Sequence, residues 1–354
     1  MYGILDKYIG KNLLLYVLVI AICLTLLIGL ITFIDKTRYI GRGTIDFLFL
    51  CEYILLLLPG FFVSFFPLSV LLGGVIGLGM MARNSEIVIM QSTGLSRVNI
   101  AISALKSIVP AVILVMAVGE YVVPPLETFA TERLTEESNE NRITVSKSGI
   151  WLREGNSFIG IQSSLSDGSL QNIVRYDFEG NVLKTESRAQ SGFYNKGQWE
   201  MHNIVRRQYS EFGVETSHLP TEQWKLHLNP ERVEIIGSTS NILTIKGLID
   251  YISYLEDNGQ VAQKYRLELY NKLIAPLTTV VMLMLALSTV FGPLRSINMG
   301  ARILSGITLG FGYYVLNQIF APSSLVYNIP PLFGASISTV IFGILAIVLL
   351  RRKS

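Results

Sequence analysis

Five stretches of this chain carry almost no charge, and their lengths set the architecture. Asn12 to Ile34 runs 23 residues without a charged side chain, about 35 Å as a helix, which covers a hydrocarbon core of roughly 30 Å. Tyr53 to Ala82 runs 30 residues, with Pro59 and Pro67 inside it. Val98 to Val123 holds only Lys106 near its start and Glu120 near its end, and a lysine there can snorkel to the interface. Leu273 to Leu294 runs 22 residues and Ile303 to Leu350 runs 48, the latter too long for one crossing. The cluster from Ala321-Pro322-Ser323-Ser324 to Asn328-Ile329-Pro330-Pro331 divides it, because proline and serine clusters mark turns. The pattern predicts six transmembrane helices, three on each side of a polar middle. The first apolar run is too long for a signal peptide and no small-x-small cleavage site follows, so the N-terminus is expected to stay attached.

The period changes in the middle. Arg142 to Val145, Gly149 to Leu152, Ser157 to Ile161, Ile173 to Phe178 and Gln223 to Leu228 read as short strands. Polar turns at Asp167-Gly168, Glu179-Gly180-Asn181 and Asn195-Lys196-Gly197 separate such runs. From Thr244 to Tyr270 the period becomes helical, with Leu248, Ile252 and Leu255 on one face, and this helix is expected to lead into the fourth span. The fold class is therefore a mainly α membrane protein of six helices with a β sandwich or open barrel inserted between helices 3 and 4. The expected division is 1–125 for helices 1–3, 126–270 for the inserted domain with its trailing helix, and 271–354 for helices 4–6.

Charge sharpens the division. Residues Glu127 to Lys272 hold 36 of the 55 charged side chains, with a net charge of −4, and the flanks carry +7. The mean hydropathy of +0.47 and 16% charged residues exclude a simple cytosolic enzyme and a disordered chain. Nucleic-acid binding is disfavoured, since the basic excess lies with the apolar flanks. Short loops on one side hold nine Lys and Arg (Lys7, Lys11, Arg83, Arg97, Arg295, Arg302, Arg351, Arg352, Lys353), against three (Lys36, Arg38, Arg42) on the other. The positive-inside rule then places both termini in the cytoplasm and the large domain outside. Cys23 and Cys51 are expected to be buried free thiols. The three histidines, at 202, 218 and 227, match no metal-ligand spacing.

No G-x-x-x-x-G-K-[ST], H-E-x-x-H or G-x-S-x-G occurs. The span centres hold no carboxylate or histidine, which disfavours an ion-coupled carrier and leaves the energy to a partner chain. The second loop, Arg83 to Ser96, has the form of a short amphipathic helix. Asn84 or Ser85 can cap it, Glu86 suits its first turn, Ile87, Met90 and Gln91 share a face, and Gly94 stops it. Such a helix between two spans has the shape of a coupling helix that docks on an ATPase. Phe311, Tyr314 and Gln318 share a face of the fifth span. Gly73 and Gly77, and Gly306 and Gly310, are GxxxG pairs that permit close helix contact, within the chain or with another subunit.

Four motifs carry a resemblance: Leu5-Asp6-Lys7-Tyr8-Ile9-Gly10-Lys11, Ser85-Glu86-Ile87-Val88-Ile89-Met90-Gln91, Phe291-Gly292-Pro293-Leu294-Arg295-Ser296 and Tyr314-Val315-Leu316-Asn317-Gln318-Ile319-Phe320. Over its whole length the chain resembles the LptF/LptG permeases of the lipopolysaccharide exporter. The resemblance implies a non-catalytic permease subunit of an ABC transporter in a Gram-negative inner membrane. It implies an LptB-type ATPase dimer that binds the ATP and magnesium, with no cofactor in this chain. It also implies an LptF-type sister permease, LptC- and LptA-type jelly-roll proteins, and a jelly-roll-like periplasmic domain. By the same resemblance, Glu86, with Ile87 and Met90, contacts the ATPase, and Phe311, Tyr314 and Gln318 line a lipid cavity with Thr32, Phe65 and Phe66. Lys36 and Arg38, and more weakly Arg42, stand at the depth of lipid A phosphates and are expected to bind them. Thr32 and Gly60 stand where family members can carry lysine. The alternative from another class is a membrane-anchored scaffold or signalling protein with an outer binding domain.

Overall fold

A computed structural model of the chain describes residues 3–41, 44–137, 150–154, 156–164, 169–180, 182–195, 198–210, 213–224, 243–257, 260–291 and 298–351. Two compact units emerge. One comprises Met1–Arg38, Phe47–Glu127 and Arg266–Ser354; the other comprises Tyr39–Asp46 and Thr128–Tyr265.

The first unit is helical: α1 (Ile4–Lys36), α2 (Phe47–Arg83), α3 (Glu86–Ser92), α4 (Arg97–Tyr121), α7 (Gln263–Phe291), α8 (Met299–Val326) and α9 (Pro331–Arg351). All but α3 belong to the six segments long and apolar enough to cross a membrane. Leucine, isoleucine and valine surround α2 on every side, so hydrophobicity alone gives it no preferred face. Its small residues orient it instead. A methyl at Gly73 would lie 2.6 Å from Val17 Cα, and one at Gly74 would lie 2.7 Å from Ala286 Cβ. The backbone of α2 is thus pressed against α1 on one side and α7 on the next. Gly306 and Gly310 of α8 close on Val75 and Leu68 of α2. Both glycine pairs therefore serve contacts within this chain. Helix α7 is the most buried of the six spans, and α8 and α1 are the least.

Three expectations need correction here. Pro322 lies inside α8, which continues to Val326 before Pro331 opens α9. Proline removes one backbone donor, yet Ser323 and Ser324 return hydroxyl bonds to Ile319 O and Ala321 O at 2.6 and 2.7 Å. Cys23 and Cys51 are exposed on outward faces, where a membrane helix presents apolar side chains to lipid. Arg302, counted as a loop charge, is buried within α8 and donates from Nη1 to Gly79 O at 3.4 Å.

Helix α5 (Val123–Glu137) begins in the first unit and enters the second at Thr128; the second unit also contains α6 (Ile245–Asp257) and six antiparallel strands in chain order. The strands are β1 (Ile150–Glu154), β2 (Ser157–Ser164), β3 (Leu170–Glu179), β4 (Val182–Asn195), β5 (Gln198–Ser210) and β6 (Gly213–Trp224). Ile159, Ile161, Leu170, Ile173, Trp199, Met201 and Ile204 form its buried face. Leu170 and Ile173 are three residues apart, as are Met201 and Ile204, where strict alternation needs an even number. Asn172 and Asn203 lie between them at φ 50° and 54°. This left-handed conformation, which asparagine tolerates, returns both neighbours to the buried side. The expected strand at Arg142–Val145, most of the one at Gln223–Leu228 and the turn at Asp167-Gly168 fall outside the described residues. The single helix expected from Thr244 to Tyr270 is two, α6 and the start of α7. The Asn258-Gly259 pair in between is itself a turn signal.

The sheet also buries charge. Glu186 receives Arg188 Nε at 2.6 Å, Tyr209 Oη at 2.9 Å and Arg207 Nη1 at 3.3 Å. Burial pushes its carboxyl up, but the bonds from Arg188 and Tyr209 outweigh this and hold it below the ordinary value.

Candidate functional site

Lys36 closes α1, where a basic residue suits the negative helix end. Arg38 follows in a single 3-10 turn, Thr37–Tyr39. Its Nη2 lies 3.6 Å from Asp35 Oδ2, with both side chains more than half exposed. Asp35 was not a candidate in the sequence, and it lowers the net charge of this cluster. Thr32 lies one turn before Lys36 and donates its hydroxyl to Ile28 O at 2.8 Å. Arg42 is outside the described residues. Gly60, in α2, is covered by the carboxylate of Glu127, which occupies the place where a side chain at 60 would begin. Lys272 lies within electrostatic reach of Glu120, Glu127 and Glu268.

Phe311, Tyr314 and Gln318 do share an open face of α8: Phe311 is 66% exposed, and Gln318 Nε2 donates to Tyr314 Oη at 3.0 Å. Phe65 is half-buried on α2. Phe66 is a correction. It is buried, with its ring 6.0 Å from that of Phe62, in a cluster that includes Val112 and Val115 of α4. Adjacent helical residues point about 100° apart, and here Phe66 turns into the bundle while Phe65 is only half-buried.

The short helix after α2 is α3, Glu86–Ser92. It opens on Ser85 at φ 63° without a side-chain cap, and it ends before Gly94 at φ 95°. Its faces are reversed from the expectation. Ile87 is buried and Met90 is half-buried against the same core as Ile9, Leu13 and Ile100. Val88 and Ile89 face outward. Periodicity shows which residues share a face, but only packing shows which face points in. Glu86 is half-buried at the edge of this surface. Its Oε2 accepts from Tyr8 Oη at 3.0 Å and its Oε1 from Asn84 Nδ2 at 3.3 Å. The Tyr8 contact spans 78 residues of sequence, which no local pattern signals. Among the described residues, no group of three or more His, Cys, Asp or Glu side chains is placed to hold a metal ion.

Comparison of the sequence with known proteins shows the family. The family model for the lipopolysaccharide export system permease LptF/LptG matches residues 7–352. The lipopolysaccharide export system permease protein LptG of Escherichia coli K12 is 36% identical over 357 residues, covering 100% of this chain and 99% of the relative. The protein of the same name from Haemophilus influenzae Rd is 34% identical over 356 residues, with the same coverage. The chain belongs to the LptF/LptG family of lipopolysaccharide export permeases.

Proposed function

We propose that this chain is a non-catalytic permease subunit of an ABC transporter that extracts lipopolysaccharide from the inner membrane and passes it to a periplasmic bridge. The observation that carries this reading is the full-length match at 36% identity to a lipopolysaccharide export permease. The geometry supports it. The two least buried spans, α1 and α8, flank α2 and present apolar side chains such as Leu26, Leu30 and Phe311 outward. Lys36 and Arg38 end the first of these faces. Acyl chains would lie along the apolar faces and lipid A phosphates at the basic end. Both termini and α3 lie in the cytoplasm, and the sheet lies in the periplasm. An LptB-type ATPase dimer binds ATP and magnesium and docks on α3, through Glu86 and the outward Val88 and Ile89. An LptF-type permease completes the membrane part, and LptC- and LptA-type jelly rolls continue the route.

Each charge-assisted bond to phosphate contributes about 1.5–3 kcal/mol when shielded, and less at a wet interface. The double change Lys36→Glu with Arg38→Glu therefore lowers lipopolysaccharide extraction in proteoliposomes at least about tenfold, with complex assembly retained. Extraction at the wild-type rate makes these ordinary loop charges. Glu86→Lys sets like charges together and lowers recovery of the ATPase with the tagged permease. Unchanged recovery and unchanged lipid-stimulated ATP turnover count against docking through Glu86.

A further inference from the structure

The start of α1 is bound more tightly than a membrane helix terminus needs to be. Gly3 N donates to Asp6 Oδ2 at 3.1 Å, and Ser103 donates to the other oxygen of the same carboxylate. Ser107 Oγ reaches Asp6 O at 3.3 Å, and Lys106 Nζ lies 3.9 Å from Asp6 Oδ2. Ile9 and Leu13 are fully buried in the cluster that contains Ile87. These contacts fix α1 against α4 and set Tyr8, one turn along, beside α3.

The start of α3, by contrast, is not fixed by its own sequence. Ser85 sits in the left-handed region, which a non-glycine residue adopts at a cost, and makes no side-chain cap. What orients Glu86 comes from outside the helix: the phenol of Tyr8 on one carboxylate oxygen and the amide of Asn84 on the other. A carboxylate has about four acceptor sites, so two such bonds leave room for an incoming cation. Tyr8 is 46% exposed and Glu86 half-buried, so the pair is open to an approaching group. Helix α1 then runs 33 residues without a break to Lys36, about 50 Å.

We propose that Tyr8 is the positioning residue for Glu86, and that it joins the ATPase-docking helix to α1, whose far end carries Lys36 and Arg38. This rests on the reading of α3 as the coupling helix. A displacement of Glu86 by a basic groove on the ATPase is handed to α1 through this hydrogen bond, which adds to the core that Ile87 already shares with Ile9 and Leu13. The partner's chemistry is a basic side chain that meets an oriented, half-buried carboxylate.

The test is a double-mutant cycle on the intact complex in proteoliposomes, read as lipopolysaccharide extracted per ATP hydrolysed. Tyr8→Phe keeps the ring and removes the donor. It is expected to lower that ratio about 3- to 10-fold, the range for a hydrogen bond to a charged group weakened by solvent. In a Glu86→Ala background the same change is expected to do nothing further. A wild-type ratio in Tyr8→Phe, with Glu86→Ala impaired, overturns the positioning role and leaves the coupling reading standing. An equal loss from Tyr8→Phe in both backgrounds shows that the hydroxyl acts elsewhere and also overturns it. A wild-type ratio in Glu86→Ala removes the coupling reading and this proposal with it.

Discussion

The two units of this chain differ in which residues make the close contacts inside each. In the membrane unit many large apolar side chains point outward, with Leu18, Leu26 and Leu30 of α1 each more than half exposed, while others such as Leu13, Leu71 and Leu283 are buried between helices. The close contacts fall on glycine, with Gly73 against the backbone of Val17 and Gly74 against Ala286. In the sheet Trp199 and Ile173 are fully buried, and at another place in it a carboxylate ringed by two arginines and a tyrosine is buried as well. The reason is the solvent. Lipid tails are as apolar as leucine, so burying leucine against another helix gains little, and close van der Waals approach decides the packing. In water the removal of apolar surface is the main driving force.

The comparison breaks most readily at Trp199. The three tryptophans, Trp151, Trp199 and Trp224, all lie on strands, so selectively excited tryptophan fluorescence reports the sheet alone. Trp199→Ala is expected to cost the sheet about 3–5 kcal/mol, seen as a large fall in the fluorescence-monitored Tm. The matching truncation in the membrane, Leu18→Ala, removes as apolar a side chain from a lipid-facing position. It is expected to change the helical melt at 222 nm by less than about 0.5 kcal/mol. Comparable losses in the two variants end the distinction.

Gly73→Leu comes next. Its Cβ would meet Val17 Cα at 2.6 Å, which is backbone and has no rotamer to yield. A cost at the upper end of about 1–3 kcal/mol is expected, from overpacking. It appears in the helical melt and not in tryptophan fluorescence. A wild-type helical melt in Gly73→Leu removes the glycine contact from the account of the membrane unit.

What the sequence made legible divides along the same line. Gaps in charge revealed six spans, because a charge in hydrocarbon is costly whatever the packing. They did not reveal that Pro322 sits inside α8, since a cluster of proline and serine reads as a turn in a local window. In the polar domain the runs rich in Ile, Val and Phe read as β2 and β3. The long strands β4 and β5 did not, because Thr185 and Ser187 stand between the alternating Lys184, Glu186 and Arg188, and Arg206 and Arg207 are adjacent, so no apolar face is marked there. Those charges pair across strands, as in Arg207 with Glu186, and cross-strand partners are invisible to a local window. At the candidate site, the shared face of Phe311, Tyr314 and Gln318 followed from spacing alone. The inward turn of Ile87 and Phe66 and the reach of Tyr8 to Glu86 depend on segments distant in sequence.

A smaller effect separates the units by pH. Glu186 is held below the ordinary carboxyl value of 4.5, so its contribution to stability is complete above that pH and is lost as pH falls through the lower folded value. The fluorescence-monitored Tm is expected to fall as pH drops below about 4.5. Glu186→Gln should start lower at neutral pH, by about 1–2 kcal/mol for the weakened bonds, and should follow a flatter acid profile. A profile as steep as wild type assigns the acid transition to other carboxylates, Glu222 first among them, since its bond from Arg206 also holds it below the ordinary value.

The smallest effect expected is the most direct measure of what polar contacts contribute inside the membrane unit. Thr278 Oγ1 lies 2.9 Å from Thr339 Oγ1 and 3.4 Å from Tyr313 Oη, and Tyr313 Oη lies 3.2 Å from Thr339 Oγ1. This three-way cluster of hydroxyls joins α7, α8 and α9. In water-soluble cores a lost buried partner costs more than the bond itself contributed. In a membrane the unfolded reference also finds partners, and interhelical bonds average about 0.6 kcal/mol. Thr339→Val conserves shape and removes one of the three hydroxyls, and the remaining two are close enough to bond to each other. Its helical melt is therefore expected to shift by about 0.6 kcal/mol, several-fold less than Gly73→Leu. A loss equal to that of Gly73→Leu places polar contacts beside glycine packing in the membrane unit and erases the contrast with the sheet.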